Sequence, residues 1–253
     1  MKKKLLFITL ILFSISAFAQ QQFSGKVYYT ISTKPLNLKA LDSVNDSDKK
    51  TSPKVKNLMK EMLGTNDNVT GILQFTNNEM LYKLDDAMLN DNRRKFNMTK
   101  ILAGNNDIFY KNKLTNEDFK QSNSYGEKLL IEQTPLKWKI SQESKKINKF
   151  FCYKATAIKE VINSKGVFKN EITAWFSPEI PFPFGPNEFG GLPGLILEIK
   201  SEKINYVLQK IILNPKNKIT IKKPSKGKKM SAVEYFEMTK RLSQSMERRF
   251  KRQ

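Results

Sequence analysis

From Val69 onward the chain is written almost entirely in short apolar–polar alternations, with no space between them for crossover helices. VTGILQF, the turn-like Asn77-Asn78 and EMLYKL read as a hairpin. DIFYK, EKLLIEQ, LKWKIS, KFFCYKATAIKEVI, VFKNEITAWF, GLILEI, INYVLQKIIL and ITIKK follow, most of them joined by short separators containing Asn, Gly, Lys or Ser. Earlier, FSGKVYYTI sets Phe23, Val27, Tyr29 and Ile31 against Ser24, Lys26, Tyr28 and Thr30, the period of a half-buried strand. Parallel neighbours need long crossovers, usually helical, so the pattern predicts a large antiparallel meander. About ten such strands seldom lie flat. The expected fold is mainly β, a meander curled into a half-barrel, barrel-like or sandwich-like sheet.

Two helices complete the prediction. Ser52-Pro53 opens KVKNLMKEML, with Val55, Leu58, Met59, Met62 and Leu63 on one face and Gly64 as a stop, giving a short helix near 53–63 that lies over the sheet. Ser231-Ala-Val-Glu234 is a capping box that starts a helix near 232–250 carrying Tyr235, Phe236, Met238, Leu242, Met246 and Phe250. Its last turn is basic through Arg248, Arg249, Lys251 and Arg252, which suits the negative end of the helix dipole. Such a helix either docks on the sheet or, with KKPSKGKK at 222–229, lies on a membrane surface.

Lys2, Lys3 and Lys4, an apolar run from Leu5 to Ile15 and Ala17-Phe18-Ala19 form the three parts of a cleavable signal peptide over 1–19. The alternative, a membrane anchor, needs about 20 apolar residues, more than the run supplies. The expectation is export to the periplasm or beyond, with 20–253 a single β-rich domain, soluble after cleavage. A lone cysteine, Cys152, leaves no intramolecular disulfide, so the core must hold the fold. In FFCYKATAI that residue is either a small buried hydrophobe or a reactive thiol.

Histidine is absent, which removes Ser-His-Asp and Cys-His catalysis, histidine metal ligation and the usual near-neutral base. Asp42, Asp46, Asp48, Asp85, Asp86 and Asp91 sit in polar, turn-like context, and neither Asp46-Ser47-Asp48 nor Asn90-Asp91-Asn92 carries the glycine and distal glutamate of a calcium loop. No catalytic residue, cofactor or metal is expected. The formal charge of +21 attracts anionic surfaces. Outside the cytoplasm these are envelope lipids or glycans, not nucleic acid. All but six of the 45 basic residues are lysines, which lack the fork that grips phosphate, so the charge reads either as a generally basic face or as a polyanion site.

The densest local signal is PFPFGPNEFGGLPGLILEI, from Pro181 to Ile199. Prolines 178, 181, 183, 186 and 193 fix φ, while glycines 185, 190, 191 and 194 permit positive φ or close backbone approach. The result is a chain that turns often yet has few conformers. Phe182, Phe184, Phe189 and Leu192 are too costly to leave in water. They either cap one end of the sheet or, with Trp138 and Trp175, line a groove for a ligand or partner. Beyond them Leu195, Leu197 and Ile199 share one face of a strand, and Ile196, Glu198 and Lys200 the other. Glu198 is read as lying at a sheet edge or paired with a lysine, with catalysis a remote option.

GGLPGLI at 190–196, preceded by LKWKI at 136–140, FFCYKATA at 150–157, AWFSPEIP at 174–181 and FGPNEF from Phe184, resembles the successive blocks of the GLPGLI family of exported bacterial envelope proteins. The likeness covers 136–199 and makes Gly185, Pro186, Gly190, Gly191, Pro193, Gly194, Leu195, Ile196 and Glu198 its structural motif. Phe176 stands where the family usually has Tyr or Trp, and Phe151 where a small residue is common. The resemblance implies a β-rich secreted or periplasmic protein without an established activity, some of whose relatives are encoded near TonB-dependent receptors. Three functions follow as expectations. One is a non-enzymatic envelope binding or accessory protein that shelters an apolar or amphipathic ligand, such as a lipid, beneath 178–194. Another is an interaction module that docks on an outer-membrane transport or assembly machine such as a TonB-dependent receptor. The most remote is a carboxylate-only hydrolase using Glu198.

Overall fold

A computed structural model of the chain describes residues 23–34, 66–85, 97–163 and 166–250. The signal peptide over 1–19, the helix near 53–63, and the turns at Asp42, Asp46, Asp48, Asp86 and Asp91 lie outside the described residues.

Among the described residues, twelve strands form one open sheet. They are β1 (Ser24–Thr33), β2 (Val69–Thr76), β3 (Glu79–Leu84), β4 (Ile108–Asn112), β5 (Glu117–Ser124), β6 (Glu127–Glu132), β7 (Lys139–Ile147), β8 (Phe150–Asn163), β9 (Gly166–Ser177), β10 (Leu195–Lys200), β11 (Ile204–Leu213) and β12 (Lys228–Met230). Their order is β12-β6-β5-β4-β3-β2-β1-β11-β10-β9-β8-β7. Two five-stranded antiparallel meanders, β2–β6 and β7–β11, are thus joined by β1, which pairs with β2 on one side and β11 on the other. The alternation in β1 is realised directly: Val27, Tyr29 and Ile31 are fully buried while their neighbours are half-exposed.

The meander prediction needs one correction. β12 runs parallel to β6, with Lys228 opposite Leu129 and Met230 opposite Ile131. The long connection a parallel pair requires holds the whole β7–β11 meander and returns as extended chain, not as a crossover helix. Residues 214–227 pass the β2–β3 and β4–β5 turns, lining shallow clefts together with Thr76, Asn78 and Leu114, and bring the chain to the far edge of the sheet. ITIKK, expected as a strand, belongs to this crossing. It is fastened by side chains: Gln121 donates to the Lys226 carbonyl (2.6 Å), and Lys223 pairs with Glu117.

Two helices are present among the described residues. The five-residue α1 (Met98–Leu102), which the sequence reading did not anticipate, is capped by the Asn97 side chain accepting from the Lys100 amide. The other, α2 (Ala232–Phe250), begins at the expected capping box. Ser231 Oγ accepts the Glu234 amide, and Glu234 accepts the Ser231 amide at 2.7 Å, which holds the Glu234 carboxyl below its ordinary range. Its first turns dock on the sheet through Tyr235 and Met238, which pack against Leu129, Ile131 and Met230.

Beyond the register pairs Lys139–Thr156 and Lys200–Thr173, β8 and β9 have no strand partner but each other among the described residues. From the Ala157–Ile172 pair to the Asn163–Gly166 pair they form a two-stranded ribbon about 20 Å long. Ile158 (62% exposed) and Phe168 (45% exposed) stand out on it.

Within the core, Tyr29, Tyr82 and Tyr206 are buried phenols whose pKa values burial pushes far up, so all remain protonated. Tyr29 donates to the Ile196 carbonyl (2.7 Å), and Tyr206 accepts from Asn187 Nδ2 (2.8 Å). The Tyr82 hydroxyl has no hydrogen-bond partner among the described residues. Tyr82→Phe is therefore expected to leave stability unchanged or raise it, whereas Tyr206→Phe, which deprives a buried amide of an acceptor, costs about 1–3 kcal/mol. Urea unfolding of the two variants checks the contrast.

Candidate functional site

β9 and β10 are adjacent and antiparallel, yet a seventeen-residue excursion, 178–194, joins them where a tight turn would serve. Its local shape comes from the prolines. Phe182 N donates to the Ile180 carbonyl (2.7 Å), Phe184 N to Phe182 (2.8 Å) and Gly194 N to Leu192 (2.8 Å). Each bond spans one proline, at 181, 183 and 193. A three-residue turn of this kind needs a central φ near −75°, close to what the pyrrolidine ring imposes.

Further out, Gly191 N donates to the Pro183 carbonyl (3.0 Å), and Phe184 and Gly190 form an antiparallel bridge. The excursion is tied back to its flanks by Leu195 N to Ile180 O (2.9 Å) and Ile196 N to Phe184 O (3.0 Å). Gly194 is forced by space: a Cβ there would lie 2.2 Å from the Ser177 carbonyl oxygen. Gly191 is required by conformation, with φ at +87°.

The segment folds onto the sheet and its apolar groups enter the core. Phe182, Phe184, Phe189 and Leu192 are all buried. Phe182 stacks with Phe23 at 5.0 Å, lies 5.1 Å from Phe75 of β2 and 6.4 Å from Phe184; Phe189 meets Tyr206 edge-on at 5.9 Å. Trp138 reaches the same segment, its indole donating to the Gly190 carbonyl (2.9 Å). Clefts of about 700 and 660 Å³ lie elsewhere, around β5, β6, β12 and α2, and none of these side chains lines them.

Polar groups also pin the segment. Asn187, at φ +57°, donates to Tyr206 and to the Ala103 carbonyl (3.4 Å). Lys111 donates to the Glu188 carbonyl (3.0 Å) and to Asp118 (2.6 Å), and Lys159 of the ribbon pairs with the Glu188 carboxylate. Burial raises the Asp118 pKa, and the Lys111 charge opposes it. None of these polar anchors was singled out from the sequence. Only Asn187, a residue tolerant of positive φ in a proline–glycine run, had a local signal.

Trp175 and Glu198 are register partners on β9 and β10, close to Lys145 of β7. The Lys145 ammonium lies 4.3 Å from the Trp175 ring centroid and 2.7 Å from Glu198 Oε2. Lys200 stands 3.1 Å from Oε1, a charge contact outside hydrogen-bond geometry. Glu198 is therefore lysine-paired, on an interior strand instead of an edge, and only 6% exposed. Its surroundings are those of a structural ion pair: two ammonium groups flank the carboxylate, and a ring packs against one of them. Cys152 is buried and its thiol pushed up to about 11 by burial, which makes it a poor nucleophile at neutral pH. Among the described residues no group of three or more Cys, Asp or Glu is placed to hold a metal ion.

A family model described as "Protein of unknown function (Porph_ging)" matches residues 163–198, running from the ribbon through β9 and the proline–glycine segment to Glu198. No curated protein matches the chain. Solved structures of PNGF-II in the P21 and C2 space groups are similar at 15% and 14% identity, each with a TM-score of 0.48, 85% of this chain covered and 32% of that one. The chain spans about a third of that protein's length.

Space and conformation at the two glycines predict different costs. Gly194→Ala must displace the Ser177 backbone and is expected to destabilise by more than about 3 kcal/mol. Gly191→Ala meets no atom within 4 Å, and its strain alone is expected to cost about 1 kcal/mol. Denaturant unfolding of both variants measures the difference.

Proposed function

We propose that the protein is an exported, non-enzymatic cell-envelope accessory protein of the GLPGLI type, acting as an interaction module. Its docking element is the β8–β9 ribbon, braced from within by the proline–glycine segment. The observation that carries this reading is the burial of Phe182, Phe184, Phe189 and Leu192. Side chains already occupied by Phe23, Phe75 and Tyr206 are not free to hold a cargo or to meet a partner. The ribbon is free to do so. It presents exposed Ile158 and Phe168, carries edges that have no further strand among the described residues, and is anchored to the segment by Lys159 and Glu188. An open strand edge flanked by apolar groups is a natural template for strand addition. The partner fitting this role is an outer-membrane transport or assembly protein, for which the family resemblance suggests a TonB-dependent receptor.

The carrier reading, with a lipid beneath 178–194, makes a different prediction. A photocrosslinking residue at Ile158 or Phe168 in living cells is expected to trap one dominant envelope protein, while one at Phe184 traps none. Organic extraction of the natively purified protein is expected to release no stoichiometric lipid. Stoichiometric lipid together with no protein adduct from the ribbon would overturn the proposal in favour of a carrier.

A further inference from the structure

The chain's positive charge is unevenly distributed. Residues 216–252 contain thirteen Lys and Arg against three Glu, close to half of the formal net charge of +21. Lys226, Lys228 and Lys229 ahead of α2 and Lys240, Arg241 and Arg248 on it are all exposed, and among the described residues no ion pair holds any of the six. Of the three acids, Glu234 is committed to the helix cap.

These cations border an apolar stripe that the sheet only partly covers. Tyr235 and Met238 pack on β6 and β12, and Leu242 continues the stripe at helical spacing. Leu242 lines the cleft of about 700 Å³ between the helix and the β5–β6 turn. The helix runs eight residues further to Phe250, about 12 Å. Beside the stripe stand two exposed apolar groups, Val233 (71%) and Tyr125 (58%).

We propose that this end of the molecule, α2 with the basic stretch before it, seats on the surface of an anionic lipid bilayer. In this arrangement Leu242 and Tyr125 enter the headgroup boundary and the lysines and arginines lie at the phosphates. Charge complementarity selects an anionic partner, and the apolar groups select a bilayer over a soluble polyanion, which has no apolar layer to receive them. Lysines suit diffuse attraction to a charged surface better than the gripping of single phosphates. Aromatic and basic side chains flanking an apolar helix stripe match a helix lying in the interface. The proposal is independent of docking through the ribbon, which lies on other strands.

The test uses the protein in the form its own cells produce, with mixed phosphatidylglycerol–phosphatidylcholine vesicles and pure phosphatidylcholine vesicles. Co-sedimentation is expected with the mixed vesicles, to weaken as salt is raised, and to fall roughly twentyfold in Arg241→Gln/Arg248→Gln, since each basic group near such a surface contributes a several-fold factor. Lys200→Gln/Lys203→Gln, on the distant β10–β11 turn, is expected to change binding little. Leu242→Trp adds a reporter: brominated phosphatidylglycerol is expected to quench its added fluorescence, and not that of Trp138 and Trp175 in the parent protein. Equal binding to both vesicle types, equal losses in the two double variants, or no added quenching would each overturn the proposal; the second outcome would mean unspecific polycation attraction, and binding to heparin without binding to vesicles would mean a soluble polyanion.

Discussion

The contact of Phe182 and Phe184 with Phe75, together with that of Phe182 with Phe23, is the interaction on which the rest of the structure depends. The two phenylalanines of the segment belong to the connection between β9 and β10, and their partners lie at or beside β1 and β2. A sheet of twelve strands with free ends has no closure to fix its curvature. A stiff segment that starts in one meander and buries its rings against the other supplies a fixed inner surface to fold around. Truncating one such ring typically costs 3–5 kcal/mol, a large share of the stability of most domains. The three proline-centred turns matter for the same reason, because they restrict the unfolded segment and reduce the entropy lost when it is buried.

β1 plays the complementary part along the backbone. It bonds β2 and β11 simultaneously, so Gly25 pairs with both Phe75 and Leu213. Neither meander alone covers its end of the core, and a seam that closes over so long a chain separation makes folding slow. The Asn77 side chain accepting the Phe23 amide and the Asn214 side chain accepting the Ser24 amide hold the start of this strand from both sides.

What the sequence made legible follows burial. β1, the β2–β3 hairpin, β9 and β11 alternate because one face meets the core, and each was readable from its apolar spacing; β10 was readable as a short apolar run, and both of its faces are buried. α2 was readable from its capping box. β5, EDFKQSNS, was not, because it is polar along its length and is held by ladders to β4 and β6 more than by any apolar face. Most of β7 was missed for a related reason: KISQESKKI is an edge strand, charged on its exposed positions, as an edge must be to resist unwanted pairing. ITIKK had strand composition but no neighbour to complete a ladder. For the proline–glycine segment, stiffness was local and legible, whereas its destination depends on Phe23 and Phe75, more than a hundred residues away. Glu198's lysine partnership was foreseen in kind, but not the Lys145 that reaches it from β7 or the Trp175 ring packed against that lysine.

Amide hydrogen exchange tests the central claim most directly. If 178–196 is an internal strut, the amides of Phe184, Gly191, Leu195 and Ile196, all bonded within the structure, exchange only through the same global opening that exposes Val27 and Tyr29 in β1. Exchange of those four amides on the timescale of an exposed loop, while β1 stays protected, would contradict the account and make the segment a mobile cover over the sheet.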